Sequence, residues 1–368
     1  MDLVAAIIFQ LVYGIANLAL ISLGLAIIFG MMRVINLAHG EFLMLGGYTV
    51  VVATNAGVNI WIAMLILAPL VVGIIGVIVE RLLIRWLYGR MVDTLLATWG
   101  LSLLLIGLVT SIFGASTATT ISPPLGIIRI GDYSASGYEL FLIVVTAILF
   151  VALFATLKLT RLGLVARGTM QNPEMSSALG VSTTRTYMIT FGLGAGVTGL
   201  AGGLLAPVTG VLPSIGATYI AKAFITVISG GSAILAGTAS GSVLLGGING
   251  IFAFITGPTI GEVALLVTAI VLLRLMPRDN GAVFPKILMN GGNPLNSMRP
   301  VIIFALIGVI FMFTGPYVLQ LFTIINLTTA IALAVLALSL ALVWGFGGIL
   351  CFGQVAFFGL GAYAYTIG

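Results

Sequence analysis

The chain has 368 residues, of which 61% are apolar and only 6% charged. Soluble domains carry about a quarter charged residues, so a mainly water-facing surface is excluded and lipid is the solvent. The net charge of +5 suits the cytoplasmic loops of a membrane protein, and without a basic run interleaved with aromatics there is no case for a nucleic-acid partner.

At roughly 20 apolar residues per helical crossing, the length leaves room for about ten spans. The first run, 4–29, has no basic stretch ahead of it and is too long for a signal peptide, so it reads as a retained span. The second, 36–55, is the least regular: Asn36, His39, Gly40 and Glu41 crowd its start and make a re-entrant path an alternative. Runs at 59–79 and 93–114 follow, separated by Arg81, Arg85 and Arg90, with Trp86 and Tyr88 as interfacial anchors. The stretch 115–138 is rich in Ser, Thr, Pro and Gly and suits an outer loop. Run 139–157 leads into a second basic block, Lys158, Arg161, Arg167 and Arg185. Runs 187–208, 218–235, 240–256 and 261–276 precede a third block, Arg274, Arg278 and Lys286. All three blocks are expected on the cytoplasmic side, and an even number of crossings separates them. Paired glycines four apart, such as Gly192 and Gly196 or Gly246 and Gly250, put small residues on one helix face. They indicate close helix packing, or else a pore or hinge lined by such faces. The fold class is therefore an all-α polytopic integral membrane protein, a bundle of about eight to nine transmembrane helices followed by the first spans of a second, similar domain.

The second domain rests on a repeat. Residues 24–48, GLAIIFGMMRVINLAHGEFLMLGGY, align without a gap to 339–363, SLALVWGFGGILCFGQVAFFGLGAY. Gly30 meets Gly345, Phe42 meets Phe357, Gly46 meets Gly361 and Tyr48 meets Tyr363, while His39 meets Gln354. The organisation expected is a membrane domain over 1–285, a polar linker at 286–300 and the incomplete start of a second domain over 301–368, the chain being a truncation or one fragment of a fused product.

Polar residues at membrane depth are the candidates for a pathway. Asn36, His39 and Glu41 either cap the helix that starts there or form a gate. Lys222, placed near the outer end of its run, either snorkels to the interface or meets a substrate carboxylate; Glu262 carries the same ambiguity. A lone His and a lone Cys, Cys351, provide neither a metal site nor a disulfide, and no catalytic set and no cofactor motif is visible.

Residues 161–185, RLGLVARGTMQNPEMSSALGVSTTR, form the longest polar stretch between spans. Asn172 can cap a helix, Pro173 fits its first position, Glu174 suits the positive end of its dipole and Gly180 can end it. So short a helix is unstable alone and needs something to pack against.

Glu174 followed by Gly180, with Ser176, Ser177 and Ala178 between, resembles the coupling loop of bacterial ABC importers. With RVINLAHGEFLMLGGY (33–48), LYGRMVDTLLATWGLSLLL (87–105) and GLGAGVTGLAGGLLAP (192–207), the chain up to about residue 278 looks like the permease family of branched-chain amino acid importers. From about residue 300 it resembles the start of the sister permease, in LSLALVWGFGGILCFGQVAFFGLGAYA (338–364). Met175 departs from the usual loop, which often has Ala there. The resemblance implies alternating access in the bacterial inner membrane, with ABC ATPase subunits, a second permease domain or subunit and a periplasmic substrate-binding protein as partners in a lipid bilayer. It also implies that Arg167, Asn172, Pro173, Glu174, Ser177, Ala178 and Gly180 form the ATPase-coupling segment. No phosphate-binding P-loop occurs, so ATP hydrolysis falls to a separate chain. Urea and short-amide importers resemble this family closely and remain the alternative cargo class. A membrane-embedded enzyme or a secondary transporter would need clustered intramembrane acids or metal ligands, and none stands out.

Overall fold

The computed structural model describes residues 2–115, 121–130, 133–230, 234–275, 321–347, 351 and 353–367. Contacts divide the chain into two units, Met1–Met276 and Pro277–Gly368. The polar linker expected at 286–300 lies outside the described residues.

Each apolar run of the first unit forms a helix. In chain order these are α1 (Asp2–Met32), α2 (His39–Asn55), α3 (Ile60–Leu82, with a π-helical turn at Ala63–Leu67), α4 (Met91–Phe113) and α5 (Gly137–Leu159). Then come α6 (Arg161–Gln171), α7 (Pro173–Ala178), α8 (Thr183–Thr209), α9 (Ile215–Ser229), α10 (Ile234–Thr256) and α11 (Pro258–Leu275). Six of them, α1, α3, α4, α5, α8 and α10, are long and apolar enough to cross a membrane. Helices dominate because in lipid each backbone N–H and C=O must be paired within its own segment.

Two departures from expectation are local. The loop 115–138 contains a short antiparallel hairpin, β1 (Ile127–Ile130) and β2 (Tyr133–Ser136), with Ile127 opposite Ser136. The run read as 218–235 instead starts at Ile215 and stops at Ser229, because Gly230 and Gly237 approach so closely that a Cβ on Gly230 would lie 2.0 Å from the Gly237 carbonyl oxygen.

Helix α8 is the hub. Its glycines 192, 196, 199 and 203 face α3, so that a Cβ on Gly199 would fall 2.5 Å from the Val72 Cβ. Gly194 and Thr198 meet α1 at Ile28 and Gly24, and Gly202 presses on the α2 backbone at Leu43. Gly246 and Gly250 of α10 close on α1 around Leu11, Gly14 and Ile15. The fourfold glycine spacing is therefore a set of packing faces, where backbone proximity supplies the dispersion contact that lipid cannot drive. At the rim, α4 and α5 expose Leu103, Leu104, Ile148 and Val151.

Between α3 and α4, exposed Trp86 lies with the Arg85 guanidinium 5.9 Å from its ring centroid, while Tyr88 turns inward and donates to the buried Glu80 carboxylate. Burial first, and the Glu80 bond and charge second, push the Tyr88 hydroxyl well above its ordinary pKa, so it stays a donor.

The second unit contains α12 (Leu321–Gly347) and α13 (Gln354–Ile367). Met32 and Gly347 end α1 and α12, His39 and Gln354 begin α2 and α13, and both pairs are 315 residues apart, the offset of the sequence repeat. Gln354 donates from Nε2 to Ser339 Oγ at 2.8 Å, reaching back to the preceding helix, and His39 likewise reaches back from α2 to the Ile21 carbonyl of α1.

Candidate functional site: a buried helix break and an exposed elbow

Helix α1 ends where Arg33 takes a left-handed backbone (φ 52°) and its N–H bonds to the Phe29 carbonyl. Residues 34–38 are not helical, yet Val34, Ile35, Asn36 and Ala38 are buried. Irregular backbone at membrane depth survives only when the protein supplies its partners. Here the partner is Thr98 of α4. Its Oγ1 accepts from the Leu37 N–H at 3.1 Å, and its one proton is shared between the Ile35 carbonyl at 3.2 Å and the Leu95 carbonyl of its own helix at 3.1 Å. The Asn36 side-chain oxygen accepts from the Ala38 N–H at 3.1 Å, which supports the turn into α2.

His39, fully buried, is the first residue of α2. Its Nε2 lies 2.8 Å from the Ile21 carbonyl of α1. A carbonyl only accepts, so Nε2 carries the proton and Nδ1 is left bare. Nδ1 faces the Thr198 hydroxyl of α8 at 3.3 Å. The Thr198 hydroxyl donates to the Gly194 carbonyl of its own helix at 2.8 Å, so the imidazole bonds α1 through Nε2 and packs its bare Nδ1 against α8, rather than capping its own helix.

Beyond it, Gly40 abuts Gly216 at the start of α9, backbone to backbone. The Glu41 carboxyl lies alongside, close enough that a Cβ on Gly216 would come within 2.9 Å of Glu41 Oε1. It thus sits by the N-terminal turns of both α2 and α9, whose partial positive charges favour an anion. Asn36 Nδ2 and Glu41 Oε2 are buried without a hydrogen-bond partner. The break gathers Asn36, His39 and Glu41, but not Lys222. With α9 starting at Ile215, Lys222 falls in mid-helix rather than near an end, and its Nζ pairs with Glu262 Oε1 of α11 at 2.5 Å.

The second locus is the elbow between α5 and α8. The Thr160 hydroxyl caps α6 by accepting from the Gly163 N–H at 3.1 Å, and the Asn172 side chain caps α7 by accepting from the Met175 N–H at 2.9 Å. Helix α7 closes with paired bonds, Gly180 N–H to Ser177 O and Val181 N–H to Ser176 O, each 3.0 Å, with Gly180 at φ +85°. That double closure around a left-handed glycine is the Schellman arrangement. Ser176 faces inward, whereas Asn172, Pro173, Glu174, Ser177, Ala178 and Gly180 are exposed. Two apolar side chains one turn apart are exposed as well, Met175 at 60% and Leu179 at 77%. Arg167 is half-buried and donates from Nε to the Gly163 carbonyl of its own helix at 3.3 Å. Among the described residues the ion pairs are Arg90–Asp93 and Lys222–Glu262, so Glu174 has none there.

Sequence reasoning missed Thr98 and Thr198, whose partners lie about 60 and 160 positions away in the chain, and it missed helix α6. Thr160 three residues ahead of Gly163 was the available signal for that helix.

Residues 7–276 match the family profile described as branched-chain amino acid transport system, permease component. LivH of Salmonella typhimurium, a high-affinity branched-chain amino acid transport system permease protein, is 28% identical over 277 residues, covering 70% of this chain and 89% of that protein. BraD of Pseudomonas aeruginosa, of the same description, is 28% identical over 290 residues, covering 73% and 93%. A probable LivH of Methanocaldococcus jannaschii is 25% identical over 273 residues, covering 70% and 84%. No solved structure matches the chain.

Proposed function

Because the chain belongs to the permease family of branched-chain amino acid transport systems, we propose that it is a pore subunit of an ATP-driven importer. It carries branched-chain or other small amino acids across the bacterial inner membrane. ATP is hydrolysed by a separate chain that docks on the α6–α7 elbow, on the cytoplasmic side. The observation that carries this reading is a six-residue helix, capped at both ends, that turns Met175 and Leu179 outward. Apolar side chains held out by a closed local structure suit a docking contact.

The same geometry supports a route for coupling. Helix α7 adjoins α8, and α8 packs against α1, α2 and α3. From Thr183 to Thr198 the helix rises about 22 Å at 1.5 Å per residue, and Thr198 meets His39 at the helix break. A push on α7 is transmitted along α8 to the place where α2 and α9 touch at Gly40 and Gly216. Asn36, His39 and Glu41 act there as the gate, with two polar atoms ready for partners in another state; Lys222, held by Glu262, braces α9 against α11. Residues 321–367 open a second, similar permease domain, as the shared helix boundaries support, and a periplasmic binding protein delivers the cargo.

The test is reconstitution of the full assembly in proteoliposomes with its ATPase subunits and candidate binding proteins, supplied with labelled leucine, valine or urea. ATP-dependent accumulation of leucine or valine but not urea is expected. Uptake of urea alone would move the cargo to the amide class, and failure of the chain to retain any ATPase would end the reading.

A further inference from the structure

At the end of the first unit remote from the elbow, a cavity of about 260 Å³ opens between the N-terminal part of α1, the hairpin, the start of α5 and the end of α10. It is lined by Phe9, Gln10, Ser134, Ser136, Glu139 and Phe254, among others. Three features make it chemically specific. Among the described residues Glu139 is its one ionisable wall residue; its carboxyl accepts from the Ser136 backbone N–H, and none of the ion pairs among those residues supplies a cation to it. Gln10, Ser134 and Ser136 add amide and hydroxyl groups; the Ser136 oxygen accepts from the Tyr138 N–H at 3.3 Å as the α5 cap, which still leaves its O–H, with Gln10 and Ser134, to donate to a guest. Phe9 and Phe254 contribute apolar surface. The space is that of a small-molecule site rather than of one or two buried waters.

We propose that this cavity binds a primary ammonium group carried on a small apolar body, with Glu139 as the counter-ion. The ammonium donates to the Glu139 carboxylate, the apolar body lies on Phe9 and Phe254, and a carboxylate on the same molecule accepts from Gln10 or Ser134. Free amino acids meet all three demands; an ethanolamine lipid headgroup meets the first. A carboxylate that has no cation paired with it among the described residues gains a charge-assisted bond when such a guest enters. Glu139 lies about 29 Å along α5 from Lys158, so in the orientation proposed above the cavity is on the side from which cargo arrives. The choice of amino acids rests on the proposed function, whereas the ammonium chemistry rests on the cavity alone.

The test uses the full chain, without its ATPase, in nanodiscs of phosphatidylglycerol, so that it does not depend on docking at the elbow. Calorimetry follows L-leucine, 3-methylbutylamine and 4-methylpentanoate. Leucine and the amine are expected to bind, the acid at least tenfold more weakly, and Glu139→Gln is expected to weaken the first two at least tenfold. Asp93→Asn, at an exposed acid outside the cavity, the helix break and the elbow, is expected to leave them unchanged. Replacing part of the lipid by phosphatidylethanolamine separates the sources: a lowered apparent affinity for leucine supports the same chemistry with lipid as a competing guest, and an unchanged one supports the free amino acid as its guest. If Glu139→Gln unfolds at a lower temperature than the parent, Ser134→Ala and Phe254→Ala serve instead, each expected to weaken leucine severalfold. Equal binding of all three ligands, no binding of any, or binding indifferent to these variants would overturn the proposal. Should the importer prove to carry urea, Glu139-dependent amine binding would survive, so the two readings fail separately.

Discussion

Changing Met175 and Leu179 together to aspartate is expected to cut ATP-driven uptake at least tenfold and to remove the ATPase from the purified assembly, while the permease still inserts and melts as before. Both side chains are exposed, so neither stabilises the first unit by its own burial. Covered by a partner, each apolar side chain contributes about 1.5–3 kcal/mol. Losing both, and placing charge in the contact, weakens association by roughly a hundredfold or more. The measurement pairs ATPase retention on an affinity column with a thermal melt. An unchanged melt with lost retention is the expected pattern. Leu103→Asp, on a lipid-facing helix, is expected to do the opposite and impair insertion.

Gly202→Val is expected to have the largest effect on folding. A Cβ at this position would lie 1.9 Å from the Leu43 carbonyl oxygen. The obstruction is backbone, so no side chain can rotate away, and α2 must leave α8. Overpacking in a close-packed core costs about 1–3 kcal/mol even where side chains can adjust, and here the displaced helix also carries His39, with its bond to α1 and its contact with α8. The variant is expected to lose the cooperative melt and all uptake. Gly100→Val is the comparison, because a Cβ there meets nothing within 4 Å, and near-parental behaviour is expected of it. A parental melt for Gly202→Val would mean that α2 and α8 are not in contact.

Much of this was legible in the residues. Apolar runs located nine of the eleven helices described in the first unit, because lipid leaves the backbone no other partner. Asn172, Pro173 and Gly180 announced α7, since each acts within its own turn. Glycines four apart announced faces, though not which helix each would meet. What sequence did not reveal was long-range or masked by composition. Thr98 is an ordinary threonine in an apolar run until Leu37 and Ile35 are brought against it. Helix α6 hid in a segment rich in Gly, Arg and Thr, where hydropathy gives no signal. The hairpin at 127–136 was overlooked among Ser, Thr and Pro, although Gly131-Asp132 between two alternating stretches is a two-residue turn signal. Lys222 was misplaced because α9 begins three residues earlier than its apolar run, and its partner Glu262 comes from α11. The cavity around Glu139 draws on four separate stretches of chain, and no local pattern could have assembled it.

The central claim is that a motor subunit bears on α7. The most direct measurement is photo-cross-linking of the assembly in native membranes through a benzophenone maleimide on a single cysteine, introduced as Ser177→Cys or Ala56→Cys with Cys351→Ser as background; the excited benzophenone inserts into a C–H bond of whatever lies against it. Ser177 is on the elbow, and Ala56 follows α2 at the opposite end of the bundle. The account predicts an adduct between residue 177 and the ATPase whose yield changes with ATP, and none from residue 56. An adduct from residue 56 with none from residue 177 would contradict it.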